Sequence, residues 1–192
     1  PILFFLWGIK IVKEYREPLD KKLQYIFCAN HFSYIDIPVM SSIPLAVVFV
    51  GEMSISKIPL FGYMYRKLHV LVDRQSNKSR YEAMKDSLEV FDRGFSLAIF
   101  PEGGIISRNP PELAAFKRGA FRVAIERNIP IVPVTLPYNY IFLPDDGKFL
   151  PSYRSLKIIF HEKIETSSYT EAEINRLNKR VFDIIAGELV KE

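Results

Sequence analysis

One cysteine occurs in 192 residues. That excludes an intrachain disulfide and the stapled scaffolds of small secreted domains. Cys28 stands in Tyr25-Ile26-Phe27-Cys28-Ala29, a run that reads as a buried strand, so it reads as a small core hydrophobe rather than a nucleophile. Histidine is scarce too. His69 and His161 have no acid or cysteine at ligand spacing, and no metal site is expected. Long apolar runs are missing. The chain opens on the nine apolar residues Pro1-Ile2-Leu3-Phe4-Phe5-Leu6-Trp7-Gly8-Ile9, and no stretch of the sequence reaches about 20 residues without charge. A membrane-spanning helix needs roughly 20 apolar residues, so no span is predicted. The apolar start reads either as a packed terminus or as the end of a longer hydrophobic segment. Internal repeats and low-complexity tracts are absent.

What is present suits one domain over residues 1–192. Apolar residues make up 48%, enough for a real core. The net charge of +4 and a pI near 9.1 are a modest basic excess. Such an excess fits nucleic acid, anionic lipid or a phosphorylated substrate equally well.

Strand patterns fall at Ile9 to Tyr15, Gln24 to Ala29, Ala46 to Gly51, Val70 to Val72, Ser96 to Phe100, Ile131 to Leu136 and Leu156 to Phe160. Between them, helical patterns follow Ser33 and cover Pro59 to Leu68, Ser79 to Phe91 and Phe116 to Asn128. A last helix begins at Thr170. Ser33 with Asp36, Ser79 with Glu82 and Thr170 with Glu173 have capping-box spacing. Tyr81, Met84, Leu88 and Phe91 form one helical stripe, and Gly94 is placed to end that helix in a left-handed turn. In the last helix Ile174, Leu177, Val181, Ile184 and Leu189 share a face. The alternation predicts an α/β fold, a largely parallel central sheet flanked by helices. Sites in such sheets gather at strand C-terminal ends. His31, the pair Asp73-Arg74 and Glu102 each follow a predicted strand.

His31 lies in Asn30-His31-Phe32-Ser33-Tyr34-Ile35-Asp36. A histidine with a pKa near ~6.5 suits a general base at neutral pH, and a carboxylate can fix its tautomer. On one helix, residues five apart are offset by about 140° and share no face. The pairing needs His31 just outside the helix and Asp36 in its first turn, with Ser33 as N-cap. A capping Asp beside an incidental histidine is the plainer alternative. Phe100-Pro101-Glu102-Gly103-Gly104 ends an apolar strand in a glycine turn where backbone N–H groups can approach a ligand. Glu102 there is either a hydrogen-bond acceptor for a polyol or an exposed turn residue. Lys57, Arg66, Lys67, Arg74, Lys78 and Arg80 are interleaved with Ile58, Leu60, Phe61, Tyr63, Met64 and Tyr65. This mixture suits a lipid headgroup interface, a single-stranded nucleic-acid surface, or a core helix with a basic face.

These residues carry a resemblance. The chain is similar to the glycerolipid acyltransferases, and within them to the bacterial 1-acylglycerol-3-phosphate acyltransferases. Four blocks from about Gln24 to Leu136 occur in family order. They are His31 to Asp36; Val72-Asp73-Arg74 preceded by Lys57-Ile58-Pro59-Leu60-Phe61-Gly62; Phe100-Pro101-Glu102-Gly103; and Ile131-Val132-Pro133-Val134. Phe116-Lys117-Arg118-Gly119-Ala120 looks like the usual lead-in to the fourth block. The resemblance implies transfer of a fatty acyl group from a thioester to a glycerol hydroxyl. His31 would be the base and Asp36 its orienting partner. Arg74, Glu102 and Gly103 would bind the acceptor, and Pro133 would shape the site. The donor would be acyl-CoA or acyl carrier protein, with no bound cofactor or metal. The partners implied are a lysophospholipid and an anionic membrane surface, not nucleic acid, at the cytoplasmic membrane face.

One departure stands out. The family commonly continues Phe-Pro-Glu-Gly with Thr-Arg-Ser, and its arginine is thought to hold acceptor phosphate. Here Gly104 and Ile105 take the first two places. An aliphatic side chain cannot make an arginine's bidentate contact. Arg74, Arg108 or Lys117 is expected to take over the phosphate, unless the acceptor lacks one. Burying a methylene is worth about 0.8 kcal/mol, so a long acyl chain represents roughly 10 kcal/mol and needs an apolar groove, the bilayer, or both. Leu60, Phe61, Tyr63 and Met64 are the groove candidates. A different acceptor, thioester hydrolysis, and a non-catalytic lipid- or nucleic-acid-binding module are the alternative readings.

Overall fold

The computed structural model describes residues 4, 9–57, 61–148, 151–152 and 155–190, apart from the side chains of Ile55, Lys57 and Phe61. Seven strands form one sheet: β1 (Ile11–Tyr15), β2 (Ile26–Ala29), β3 (Val47–Glu52), β4 (Val70–Val72), β5 (Ser96–Ile99), β6 (Ile131–Thr135) and β7 (Leu156–Phe160). Their spatial order is β1-β7-β6-β2-β5-β3-β4. All neighbours are parallel except β6 and β7, where Val134 faces Phe160 in antiparallel register. The C-terminal ends of β2 to β6 therefore lie along one edge.

The strands alternate between two apolar layers. Ile26, Cys28, Leu97 and Ile131 face one core, and Phe27, Ala29, Ala98 and Val132 face the other. This is the period-two pattern of a sheet covered on both faces. Helices α3 (Asn77–Asp92), α4 (Gly119–Arg127) and α6 (Ile174–Leu189) bring buried residues to the first core. The short helices α1 (Asp36–Met40) and α5 (Asn139–Phe142) contribute to the second, which also takes Phe4. Helix α2 (Phe61–Leu68) packs on a 3₁₀ turn at Met53–Lys57. Cys28 is fully buried, and burial pushes its thiol up to about 12, as expected of a core residue.

Several local expectations are corrected. Ser76, not Ser79, caps α3, its side chain accepting from Ser79 N. The Ser79 hydroxyl instead accepts from Asp73 N at 2.9 Å, tying the first turn of α3 to the corner that carries Arg74. Tyr81 is two-thirds exposed, and Ala83, Ser87, Val90 and Phe91 form the buried face. Small residues let the helix approach the sheet closely, a face that a stripe of large residues does not reveal. The helix predicted from Phe116 begins at Gly119 and ends at Asn128, which is left-handed at φ 52°. Ile185 rather than Ile184 is fully buried in α6. Gly94 has φ 81°, and the Thr170–Glu173 box forms, both as expected. Among the described residues no helix is long and apolar enough to cross a membrane.

Candidate active site

β2 and β5 are neighbours, so the loops that follow them lie side by side. His31 stacks on Phe100 with ring centroids 4.1 Å apart and planes at 19°. Its Nδ1 is 2.9 Å from Asp36 Oδ2. The expected condition for pairing is met: His31 precedes the helix and Asp36 is its first residue. The means differs from expectation. Ser33 is not the N-cap; its hydroxyl donates to Leu143 O at 2.6 Å. Asp36 organises the loop itself, since Oδ2 also accepts from Phe32 N at 2.8 Å and Ser33 N at 2.9 Å. Asp36 is fully buried, and three donors converge on that one oxygen. With Nδ1–H donated to Asp36, Nε2 is the ring nitrogen left to take a proton.

A segment the sequence did not mark clasps this loop from behind. Asn30 and Leu136 exchange two hydrogen bonds, of 2.8 and 3.1 Å. Phe32 meets Tyr140 edge to face. Asn139, also fully buried, donates its amide N–H to Asp36 Oδ1 at 2.8 Å.

Glu102 requires a correction. It neither meets a polyol nor sits exposed: the side chain is fully buried. Oε1 accepts from His31 N at 2.7 Å and Oε2 from Ala114 N at 2.9 Å. It therefore pins the histidine loop to the glycine loop. Burial pushes its carboxyl up to about 7, against the pull of those two backbone N–H groups and with a further push from Asp36.

His31 opens on a cavity of about 520 Å³ whose apolar wall includes Ile37, Phe49, Val50, Ile105 and Ile106. A smaller space of about 180 Å³ lies against it under α3 and α4. Val50, Arg74 and Phe100 line both. Arg74 lies beside Glu52, at 3.5 Å, and burial lowers its pKa while Glu52 and Tyr65 oppose the shift. The glycine pair makes room for two cations. A Cβ at Gly104 would lie 2.5 Å from Arg74 Nη1, and one at Gly103 would lie 2.5 Å from Lys117 Nζ. Both glycines have positive φ, 85° and 155°, where a side chain is disfavoured.

Of the expected binding residues, the structure brings Arg74, Gly103 and Lys117 together and adds Arg80, which lines the smaller space. Arg108 is exposed and lines neither space, and Glu102 is committed to backbone. Pro133 is buried within β6 and lines neither. Tyr63 and Met64 are exposed and are not the groove; Leu60 and the side chain of Phe61 lie outside the described residues. His69 accepts from Phe49 N through Nδ1, and His161 meets Thr135, both structural contacts. No group of three or more His, Cys, Asp or Glu that could hold a metal occurs among the described residues.

A buried His–Asp pair at the C-terminal edge of a mostly parallel sheet could serve as a general base. The Acyltransferase family model matches residues 10–137. The chain belongs to that family. It is 30% identical to the 1-acyl-sn-glycerol-3-phosphate acyltransferase of Haemophilus influenzae, over 98% of this chain and 78% of that protein. A chloroplastic enzyme of the same name from Brassica napus is 27% identical over 72% of this chain. The chain spans about 40% of the length of that relative and of its Arabidopsis thaliana counterpart. The crystal structure of the 1-acyl-sn-glycerophosphate (LPA) acyltransferase from Thermotoga maritima shares the fold. Its TM-score is 0.80 at 24% identity, covering 98% of this chain and 74% of that one.

Proposed function

We propose that this chain transfers a fatty acyl group from a thioester to the free hydroxyl of 1-acyl-sn-glycerol-3-phosphate, making phosphatidic acid. The observation that carries the proposal is the His31–Asp36 pair opening on a cavity that is apolar along one wall and carries Arg74 on another. His31 Nε2 removes the proton of the acceptor hydroxyl as its oxygen attacks the thioester carbonyl carbon. The C–S bond then breaks, and the imidazolium returns the proton to the leaving thiolate. Asp36 holds the tautomer and stabilises the imidazolium, as a buried carboxylate does in other histidine bases. Arg74 is the principal contact to acceptor phosphate, supported by Lys117 and Arg80. These three cations line the space beside His31, whereas Arg108 does not.

The donor is acyl-CoA or acyl carrier protein, and the residues call for no cofactor or metal. Tyr34 and Ile106 line the cavity and remain about half exposed, as does the nearby Met53, an apolar rim that suits an amphiphile arriving from an anionic membrane surface. The proposed location is the cytoplasmic face of the cell membrane. Ile105 in the cavity wall favours one second reading, a lysolipid acceptor without phosphate. Purified protein given acyl-CoA and each acceptor separates the two. Product from lysophosphatidic acid, lost in His31→Ala, is the expected result. Product from the phosphate-free lysolipid alone would transfer the proposal to that acceptor.

A further inference from the structure

The histidine–carboxylate pair has a third member that its own loop does not supply. Asn139 reaches Asp36 from α5, on the far side of β6, and its Nδ2 lies 2.8 Å from Oδ1. Oδ2 is already occupied by His31 and two backbone N–H groups. Asn139 is thus what satisfies the remaining oxygen. Its own orientation is settled by chemistry. A carbonyl oxygen turned toward Asp36 would set two acceptors against each other, so the NH₂ must face the carboxylate. Asn139 Oδ1 is then buried with no hydrogen-bond partner among the described residues. An orphaned buried acceptor costs stability. The amide is therefore held in place by what its N–H does, not by satisfaction of its own groups. The segment around it is held as well, by Leu136 to Asn30 and by Leu143 O to the Ser33 hydroxyl.

We infer that Asn139 is a positioning residue for the His31–Asp36 pair, keeping the Asp36 carboxyl aimed at His31 Nδ1 through a single buried N–H donor. The inference rests on the acyl-transfer reading for its consequence in rate, but not for its geometry. The other charged group facing Asp36 is Glu102, from the loop after β5, and the titratable group it holds is His31.

Two variants test it. Asn139→Leu keeps the volume and deletes the donor. Asn139→Asp keeps the shape and offers a donor only while its carboxyl is protonated. In Asn139→Leu, kcat should fall about 10–100-fold, the usual effect of removing a group that orients a catalytic ligand or base, with acceptor KM within about threefold of wild type. In Asn139→Asp the two buried carboxyls must share one proton, so the introduced carboxyl donates to Asp36 only while it is protonated, and kcat should stay near wild type at low pH and fall as pH rises through the pKa of that shared proton. Asn139→Asp decides the matter should Asn139→Leu fail to fold. A readout independent of turnover accompanies both: the His31 Nδ1 proton resonance in the free protein should shift in each. Unchanged kcat in a folded Asn139→Leu, or an Nδ1 resonance in Asn139→Asp that stays at its wild-type position at every pH, overturns the inference. Lack of transferase activity in the wild type, by contrast, sinks the acyl-transfer reading and leaves the resonance test intact.

Discussion

The loop from Asn30 to Asp36 and the corner at Asp73-Arg74 both end strands of one sheet, yet they are held in different ways. The first is buried and tied at nearly every polar group. Asp36 accepts four bonds, Glu102 binds His31 N, and Asn30, Ser33 and Phe32 all meet the segment from Leu136 to Leu143. The second is held by bonds within its own neighbourhood, Asp73 N to the Ser79 hydroxyl and Gln75 N and Ser76 N to Asp73, and its arginine reaches Glu52 only at 3.5 Å. A base must be kept within a fraction of an ångström to act in a transition state, whereas a cation that meets a flexible headgroup need not be. The rigid side suits the reaction, and the looser side suits the choice of acceptor.

The largest effect should come from breaking the rigid side. His31→Ala should lower kcat by about 10²–10⁴-fold, the usual worth of a positioned base, while leaving the melting temperature nearly unchanged. Asp36→Ala should do as much to kcat and also lower stability by about 2–4 kcal/mol, because several buried donors lose their acceptor at once. Equal melting temperatures for the two variants would show that Asp36 does not organise the loop.

On the looser side, Arg74→Ala should raise acceptor KM by about 10–100-fold, the worth of one charge-assisted contact, with kcat less affected. Titration at the rigid side gives the next effect. The folded carboxyl of Glu102 titrates near 7, above its ordinary 4.5. A carboxyl raised in this way contributes stability that is present below about 4.5 and is lost as pH rises through 7. The stability of wild type relative to Glu102→Gln should therefore fall between pH 4 and pH 8, by up to about 3 kcal/mol. Denaturant midpoints of both proteins across that range measure it, and a difference independent of pH would show that burial does not raise the Glu102 carboxyl. The smallest effect is expected of Arg108→Ala, which should leave acceptor KM within about twofold because an exposed cation outside the pocket adds little. A rise matching that of Arg74→Ala would extend the acceptor side beyond the cavity described.

Much of the fold was legible because its strands are buried on both faces and its breaks carry strong local chemistry. β4 and β7 fall where the apolar runs place them, Gly94 turns left-handed, and Thr170 with Glu173 forms its box. The misses share a cause. Ser79 and Ser33 have capping spacing, but their hydroxyls are claimed outside their own helices, one by Asp73 N just before the helix and the other by the distant Leu143 O. The buried face of α3 includes Ala83 and Ser87 beside Val90 and Phe91, and the small size of the first two matters only against a sheet whose distance the sequence does not state.

The same division runs through the site. Motif spacing and strand-end placement marked His31, Asp36, Arg74 and the Glu102 loop as candidates, and the family resemblance supplied their expected roles, because a base, its carboxylate and a glycine turn at strand ends are local features of the chain. What Glu102 does was decided only when β5 settled beside β2 and turned a nominal ligand contact into a brace for His31. Asn139 entered the same way, from more than a hundred positions along the chain. Residue types and short spacings determine which chemistry is available. Which oxygen is free, which is spent on a neighbouring loop, and which cation reaches the cavity depend on strand order, and strand order is set by long-range burial that no local pattern encodes.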